Sequence, residues 1–349
     1  MIHTTRLQNF RNYTDDSFEF NPGVNIIVGP NASGKTNLLE ALYIICTQKT
    51  YRTNDAAVIR HEHPWARIEA VVDGTTRIVK IHPDKLLEIE IDDKEYKRST
   101  AHTQLPYVLF EPEQLQALVG QPEARREFID TLIGQLSPQF LQYKKQYRRV
   151  LQQRNAMLKT GRSAASDYFV WNVRLGELGG YIATARQQHI ETLCAGAPEQ
   201  YQKFSGDNSN VSLQYESKFT LDSYSSLLVR QLEKDLHKDL ARGFTSSGPH
   251  RDDIRIEING HNIQTHASRG EVRSMLLVLK SLEAQHLFNH LNTRPILLLD
   301  DVFSELDGRR RKALTELLSD YQTFITTTDA DVVVKHFTQN NTIISTTKQ

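Results

Sequence analysis

The stretch Val24-Asn25-Ile26-Ile27-Val28-Gly29-Pro30-Asn31-Ala32-Ser33-Gly34-Lys35-Thr36 decides the fold. Five mostly apolar residues predict a buried strand. The turn that follows matches G-x-x-x-x-G-K-[ST], and Leu38, Leu39, Leu42 and Ile45 then mark one face of a helix. Strand, glycine-rich turn and helix in that order form a phosphate-binding loop. Its glycines let backbone N–H groups turn inward around an anion, and the new helix points its positive end at it. Lys35 is expected to reach the β- and γ-phosphates, and the Thr36 hydroxyl to ligate Mg²⁺. A partner site should be an apolar strand ending in acid, and Ile296-Leu297-Leu298-Leu299-Asp300-Asp301 fits it. Asp300 is expected to hold the metal through water and Asp301 to polarise the attacking water. As neighbours at a strand end, the two side chains should diverge and serve different roles.

Outward from this pair, the chain alternates. Residues 67–91 carry short apolar runs split by Asp73-Gly74 and Pro83-Asp84, the pattern of an antiparallel meander. Ser137-Pro138 is an N-cap and first-turn proline. Phe140, Tyr143, Tyr147, Val150 and Met157 follow at coiled-coil-like spacing. After a pause at 160–166 the pattern resumes through Ile190 and Leu193, which predicts a helical hairpin protruding as an arm. Residues 195–210 read as a loop and 211–215 as a strand. An amphipathic helix from Met275 to Leu287, a charged helix over 308–320 and a strand at 324–327 return to α/β alternation.

Composition narrows the function classes. Hydrophobic residues are 39% and charged residues 24%, so the chain has material for a sizeable core. Lys plus Arg (42) balances Asp plus Glu (42), so a nucleic-acid surface has to be local. Between Ser137 and Arg162 there are seven basic residues and no acid, with Lys144/Arg148 and Lys145/Arg149 each four apart on a helix flank. Such a stripe suits DNA phosphates, and equally a solvated helix face. Two cysteines cannot frame a disulfide scaffold, and a reducing, cytoplasmic compartment is the simplest reading. No signal core follows Met1 and no run approaches a membrane span, so no membrane partner is expected. His286 and His290 lack the acid of an H-E-x-x-H helix and read as packing or surface residues.

Several strings carry a resemblance. Leu7-Gln8-Asn9-Phe10-Arg11-Asn12-Tyr13, the extension Thr36-Asn37-Leu38-Leu39-Glu40-Ala41, Phe110-Glu111-Pro112-Glu113-Gln114-Leu115, Gly248-Pro249-His250-Arg251-Asp252-Asp253 and Asp300-Asp301-Val302-Phe303-Ser304-Glu305-Leu306-Asp307 together resemble the RecF family of ABC/SMC-like head ATPases. Thr326-Thr327-Thr328-Asp329 stands where many ABC ATPases have a switch histidine, which RecF proteins also lack.

The resemblance implies an α/β fold, with a phosphate-loop NTPase lobe (1–115 and 296–349) of mixed sheet. It implies a second, largely helical lobe (116–295) with an arm at about 122–195. It extends the nucleotide contacts from Gly29, Pro30, Asn31, Ala32, Ser33, Gly34, Lys35 and Thr36 to Asn37, and it places a signature motif at Ser268-Arg269-Gly270-Glu271. There Ser268, Gly270 and Glu271 would face the γ-phosphate of ATP held by the opposite protomer, although Arg269 and Glu271 stand where the family more often has Gln. From spacing alone, Ser268 with Glu271 is also a capping box. Ala32 replaces a common loop glycine, a mild change unless φ is positive. Arg52 resembles a family position facing DNA or nucleotide, and Arg11 and Asn12 resemble residues near the base or ribose in related heads.

The implied function is ATP-dependent DNA binding in recombinational repair and replication restart. ATP and Mg²⁺ are the cofactors, and a weak DNA-stimulated ATPase resets an ATP-dependent homodimer. Lys144, Lys145, Arg148, Arg149 and Arg52 would contact gapped or double-stranded DNA. Recombination mediators such as RecR and RecO would be partners. A transporter-type ABC ATPase subunit is the alternative.

Overall fold

The computed structural model describes residues 1–50, 55–83, 87–96, 103–329 and 341–346. Along the first part run β1 (Ile2–Phe10), β2 (Tyr13–Glu19), β3 (Val24–Val28), α1 (Lys35–Thr47), β4 (Ala66–Val72), β5 (Thr75–Ile81), β6 (Glu88–Ile91), β7 (Lys94–Tyr96) and β8 (Tyr107–Phe110). The middle holds α2 (Gln114–Val119), α3 (Pro122–Leu136), α4 (Pro138–Thr160), α5 (Phe169–Ser205), β9 (Val211–Glu216), α6 (Tyr224–Lys234), α7 (Leu236–Arg242), β10 (Asp253–Ile258), β11 (His261–Asn262) and α8 (Ile263–His266). Then come α9 (Arg269–Leu291), β12 (Ile296–Asp300), α10 (Gly308–Leu318), β13 (Thr323–Thr327) and β14 (Asn341–Ser345).

Two compact units result. The first contains Met1–Leu115, Gln202–Gly206 and Arg273–Gln349, and the second contains Gln116–Tyr201 and Asp207–Val272. The resemblance implies lobe boundaries at 115/116 and 295/296; the compact units divide at Leu115/Gln116, around Gln202–Gly206 and at Val272/Arg273. The reason for the last is burial: Met275, Val278, Leu279 and Leu287 of α9 are at most 1% exposed, which ties this helix to the first unit.

The first unit has two sheets. A parallel sheet runs β14-β3-β13-β12-β8, and an antiparallel sheet runs β2-β1-β4-β5-β6-β7. All five residues of β12 are buried, as its unbroken apolar run requires for a strand covered on both faces. Helix α1 shares one core with both sheets. Leu38, Leu42 and Ile45 pack in a cluster with Ile68 and Val79 of the antiparallel sheet and Leu298 and Phe324 of the parallel one. Burying each such side chain stabilises by about 1.5–3 kcal/mol, so the start of α1, and the loop before it, is held firmly.

In the second unit α4 and α5 form the expected hairpin, with Tyr143 against Tyr181 (centroids 4.5 Å) and Arg154 bonded to Asn172. The hairpin is not bare. Helices α6 and α7 cover it, and Leu228 and Leu232 are fully buried. Helix α5 also continues to Ser205, where a loop was expected from Ala195 on. The run Ala195-Gly196-Ala197-Pro198 contains two residues that weaken a helix, glycine and proline. However, Leu193, Ala197, Tyr201 and Phe204 continue the helical stripe and are all buried, and this packing outweighs the cost of Pro198 inside the helix.

Candidate nucleotide site

Strand β3 delivers the chain into the phosphate loop. Gly34 caps α1 at φ 109°, a conformation that favours glycine, and a Cβ there would lie 2.5 Å from the Asn12 side chain. Ala32 also has positive φ (64°). The substitution read as mild therefore sits in the conformation alanine tolerates poorly, and the loop carries left-handed strain of about 1 kcal/mol. Lys35 is nearly buried, and its Nζ donates to the carbonyls of Gly29 (2.7 Å) and Pro30 (2.9 Å). The ammonium is thus folded across the loop, over the carbonyls that border the anion cradle.

The acids meet the loop through the sheet. Strand order places β13 between β3 and β12, with Asp300 opposite Thr326 and Thr326 opposite Ile27. Thr36 Oγ1 donates to Asp300 Oδ1 at 3.0 Å. Thr326 Oγ1 donates to the same Oδ1 at 2.7 Å and accepts from the backbone N–H of Asp301 at 2.9 Å. One hydroxyl on the intervening strand therefore holds the Asp300 carboxylate and the Asp301 backbone. The sequence reading passed over this role, because Thr326 was noted only for the histidine it replaces. The divergence of the two acids also has another cause than strand alternation: β12 ends at Asp300, and Asp301 turns into a left-handed conformation (φ 49°). Thr36 and Asp300 present hard oxygen donors at one point, the donor chemistry Mg²⁺ takes alongside phosphate oxygens.

A second ring of residues braces the loop. Asn12 Nδ2 donates to Ser33 O (3.0 Å) and Asn12 Oδ1 accepts from Asn37 Nδ2 (2.8 Å), while Tyr13 Oη donates to Gly34 O (3.0 Å). Arg11, at φ 52° in the β1–β2 turn, grips Glu40 of α1 through Nε (2.9 Å) and Nη2 (3.1 Å). Glu40 is 1% exposed, an acid amid the apolar face of α1, and that placement was its sequence signal. Arg11 and Asn12 thus anchor the hairpin to the phosphate loop. A small apolar cleft lined by Phe110, Leu115, Leu276, Leu277, Val302 and Leu306 includes none of the loop residues and is a separate feature.

The predicted signature and basic-stripe residues lie in the second unit. Ser268 precedes α9 and forms a reciprocal cap. Its N–H and Oγ donate to Glu271 Oε2 (2.8 and 2.7 Å), and Glu271 N–H donates back to Ser268 Oγ (3.3 Å). These bonds hold the Glu271 carboxyl below its ordinary pKa. Gly270 lies in the first turn of that helix.

The basic stripe divides. Lys145, Arg148 and Arg149 are exposed. Lys144 instead reaches Glu127 (2.8 Å) and Asp130 (2.9 Å). Arg154 is completely buried against Asp239, Thr245 and Asn172. Arg52 lies outside the described residues.

The string Gly248–Asp253 also has a structural account. His250 Nε2 donates to Thr245 O (3.1 Å), which leaves Nδ1 to accept from Tyr147 Oη (2.7 Å). Burial, reinforced by the charge of Arg251, pulls its pKa down to about 4. Tyr215 and Tyr224 both donate to Asp252 Oδ2. Among the described residues no group of three or more His, Cys, Asp or Glu is placed to hold a metal, and the His286 ring packs at a tilt against His290 (centroids 4.2 Å). No helix among them is long and apolar enough to cross a membrane.

A phosphate loop on a parallel sheet, with a strand-end acid hydrogen-bonded to its threonine, defines the site of a phosphate-loop ATPase head. Comparison with known proteins agrees. Residues 1–349 match the family described as RecF/RecN/SMC N terminal domain. The DNA replication and repair protein RecF of Alkaliphilus oremlandii is 33% identical over 347 residues, covering 94% of this chain and 93% of that protein. RecF of Geobacillus kaustophilus is 36% identical over 356 residues, at 95% and 93% coverage. Among solved structures, the recombination mediator protein RecF-ATPrS of the RecFOR pathway superposes with TM-score 0.89 at 26% identity, covering 99% of this chain and 95% of that one. The matching RecF-ATP structure gives 0.84 at 28% identity, with 95% and 94% covered. An Smc head bound to the C-winged helix domain of ScpA shares the fold alone (TM-score 0.58, 15% identity). The chain belongs to the RecF/RecN/SMC family, and within it to the RecF proteins of DNA replication and repair.

Proposed function

We propose that this protein is an ATP-dependent DNA-binding ATPase of recombinational repair and replication restart, working as a switch in the cytoplasm. The observation that carries the reading is the contact of Thr36 Oγ1 with Asp300 at 3.0 Å, which joins the phosphate loop to the acid strand. On binding ATP, Lys35 exchanges its carbonyl partners for β- and γ-phosphate oxygens, and the loop N–H groups from Asn31 to Thr36 cradle the β-phosphate. Thr36 and Asp300 would hold Mg²⁺, which supplies charge neutralisation at the phosphates. Asp301 orients a water for attack on the γ-phosphorus and accepts its proton, and ADP and inorganic phosphate leave. An aspartate is one methylene shorter than the glutamate of most ABC ATPases, which suits a slow reset.

The cap at Ser268 serves the switch if its hydroxyl turns from Glu271 to a γ-phosphate held by a second copy, making ATP the link of a homodimer. Lys145, Arg148 and Arg149 then offer DNA phosphates an exposed stripe. Mediator proteins such as RecR and RecO are the partners this reading supplies, because the solved relatives are mediators of the RecFOR pathway. Sedimentation with and without ATP and gapped DNA tests the reading. Dimers and DNA retention that both require ATP are expected. A monomer under all conditions, or DNA binding indifferent to ATP, would refute it.

A further inference from the structure

The end of β14 touches the phosphate loop. Strand β14 lies at the edge of the parallel sheet and pairs with β3, the strand that enters the loop, from Asn341 opposite Val24 to Ser345 opposite Val28. The ladder runs one residue further. The N–H of Thr346 donates to Val28 O at 2.9 Å, and its Oγ1 donates to the same carbonyl at 3.3 Å. Thr346 Oγ1 and Ser33 Oγ are 2.6 Å apart. With Thr346 donating to Val28 O, the Ser33 hydroxyl donates to Thr346. The pair occupies the space in front of Gly29, where a Cβ would lie 2.4 Å from both hydroxyl oxygens. A side chain at position 29 would therefore displace this pair. Thr346 is 7% exposed, so the hydroxyl sits in a built position and not on open surface.

The strand that carries it is lightly held. Of its side chains only Ile344 is buried, and Ile343 is 54% exposed. Its attachment rests largely on the ladder to β3, the kind of element that opens locally at small free-energy cost.

We propose that Thr346 is a positioning residue for the phosphate loop, and that docking of β14 on β3 and binding of a nucleoside triphosphate stabilise one another. The inference rests on the nucleotide reading above and extends it to a part of the chain remote in sequence from any nucleotide motif. The hydroxyl fixes Ser33, whose own backbone is bonded to Pro30 O (3.2 Å) and whose carbonyl is held by Asn12 (3.0 Å). Loss of the hydroxyl frees a loop residue that a phosphate must then order at its own expense. By reciprocity, a phosphate that orders the loop holds β14 down by the same factor.

The test uses the full chain. ATP affinity is measured for the parent, Thr346→Val and Thr346→Ser, together with the melting temperature of each without nucleotide. Amide exchange at Ile343, Ile344 and Thr346 is followed in the unmodified chain with and without ATP. The valine variant keeps the shape and loses one hydrogen-bonding hydroxyl, so ATP affinity should fall about three- to tenfold. Serine should restore it, and ATP should slow exchange along β14. A valine variant that melts lower but binds ATP with parental affinity would reduce Thr346 to a strand-end contact and overturn the proposal. Unchanged exchange on β14 would overturn the coupling by a route that needs no variant. Failure of the parent itself to bind ATP would remove the nucleotide reading and this inference together.

Discussion

The phosphate loop and the basic hairpin were both read from residue spacing, and the structure treats them differently. At the loop, the predicted residues converge on one point, with Lys35 on its own carbonyls and Thr36 on Asp300. On the hairpin, a stripe of one charge sign splits into unlike parts. Arg154 is buried structure, Lys144 is drawn into an acidic pair, and Lys145, Arg148 and Arg149 are exposed. The lesson concerns range. A phosphate loop is a local object whose backbone geometry follows from eight consecutive residues, while the fate of a helix flank depends on what packs over it.

The largest effect that could break this contrast is at Arg154. It and Asp239 are both fully buried and bonded at 2.8 Å. Arg154→Ala leaves an uncompensated charge inside and should destabilise the fold by about 3–5 kcal/mol in denaturant unfolding. Arg149→Ala, on the same helix, should stay within about 0.5 kcal/mol. Equal effects would mean that the division of the stripe is wrong.

The network beside that hairpin should show in the pH dependence. His250 is neutral in the folded state because its pKa is depressed to about 4. Protonation therefore favours the unfolded chain, whose histidine titrates near its ordinary value. The stability contributed by neutral His250 is present above about pH 6.5 and is lost as pH falls toward 4. The slope is at most about 1.4 kcal/mol per unit. Unfolding measured from pH 7 to pH 5, above most carboxylate titrations, should show this slope, and His250→Gln should flatten it.

The exposed part of the stripe predicts a smaller effect, confined to binding. Replacing Lys145, Arg148 and Arg149 by Gln should leave stability nearly unchanged while lowering the log–log salt slope of DNA affinity by about 0.9 per lost phosphate contact. An unchanged slope would make the stripe a solvated face. Smallest is Ala32→Gly. With Ala32 at φ 64°, glycine relieves strain and should stabilise the fold by about 0.5–1 kcal/mol, read as a rise in melting temperature.

Much of the site was legible in sequence because its signals are short-ranged or strongly patterned. The buried run 296–299 announced β12, and the glycines announced the loop. What was not legible depends on register between strands distant in the chain. Thr326 became an orienting residue only because β13 lies between β3 and β12 and sets it opposite Asp300. Helix α5 ran past its expected end because buried Ala197, Tyr201 and Phe204 outweighed a Gly-Ala-Pro signal. At Ser268 the sequence left cap and signature open. The structure displays the cap, whose hydroxyl already bonds Glu271, and the signature role is what we propose for a nucleotide-linked dimer.

The central claim is the proposal that Asp300 and Asp301, one held by its carboxylate and the other by its backbone on Thr326, divide metal holding from water activation at one nucleotide site. Single-turnover ATP hydrolysis by Asp301→Asn, measured beside its ATP affinity, tests it most directly. The account predicts near-parental affinity with hydrolysis reduced by at least about a hundredfold, the low end for a lost general base. Hydrolysis at the parental rate, with ATP still bound, would contradict it.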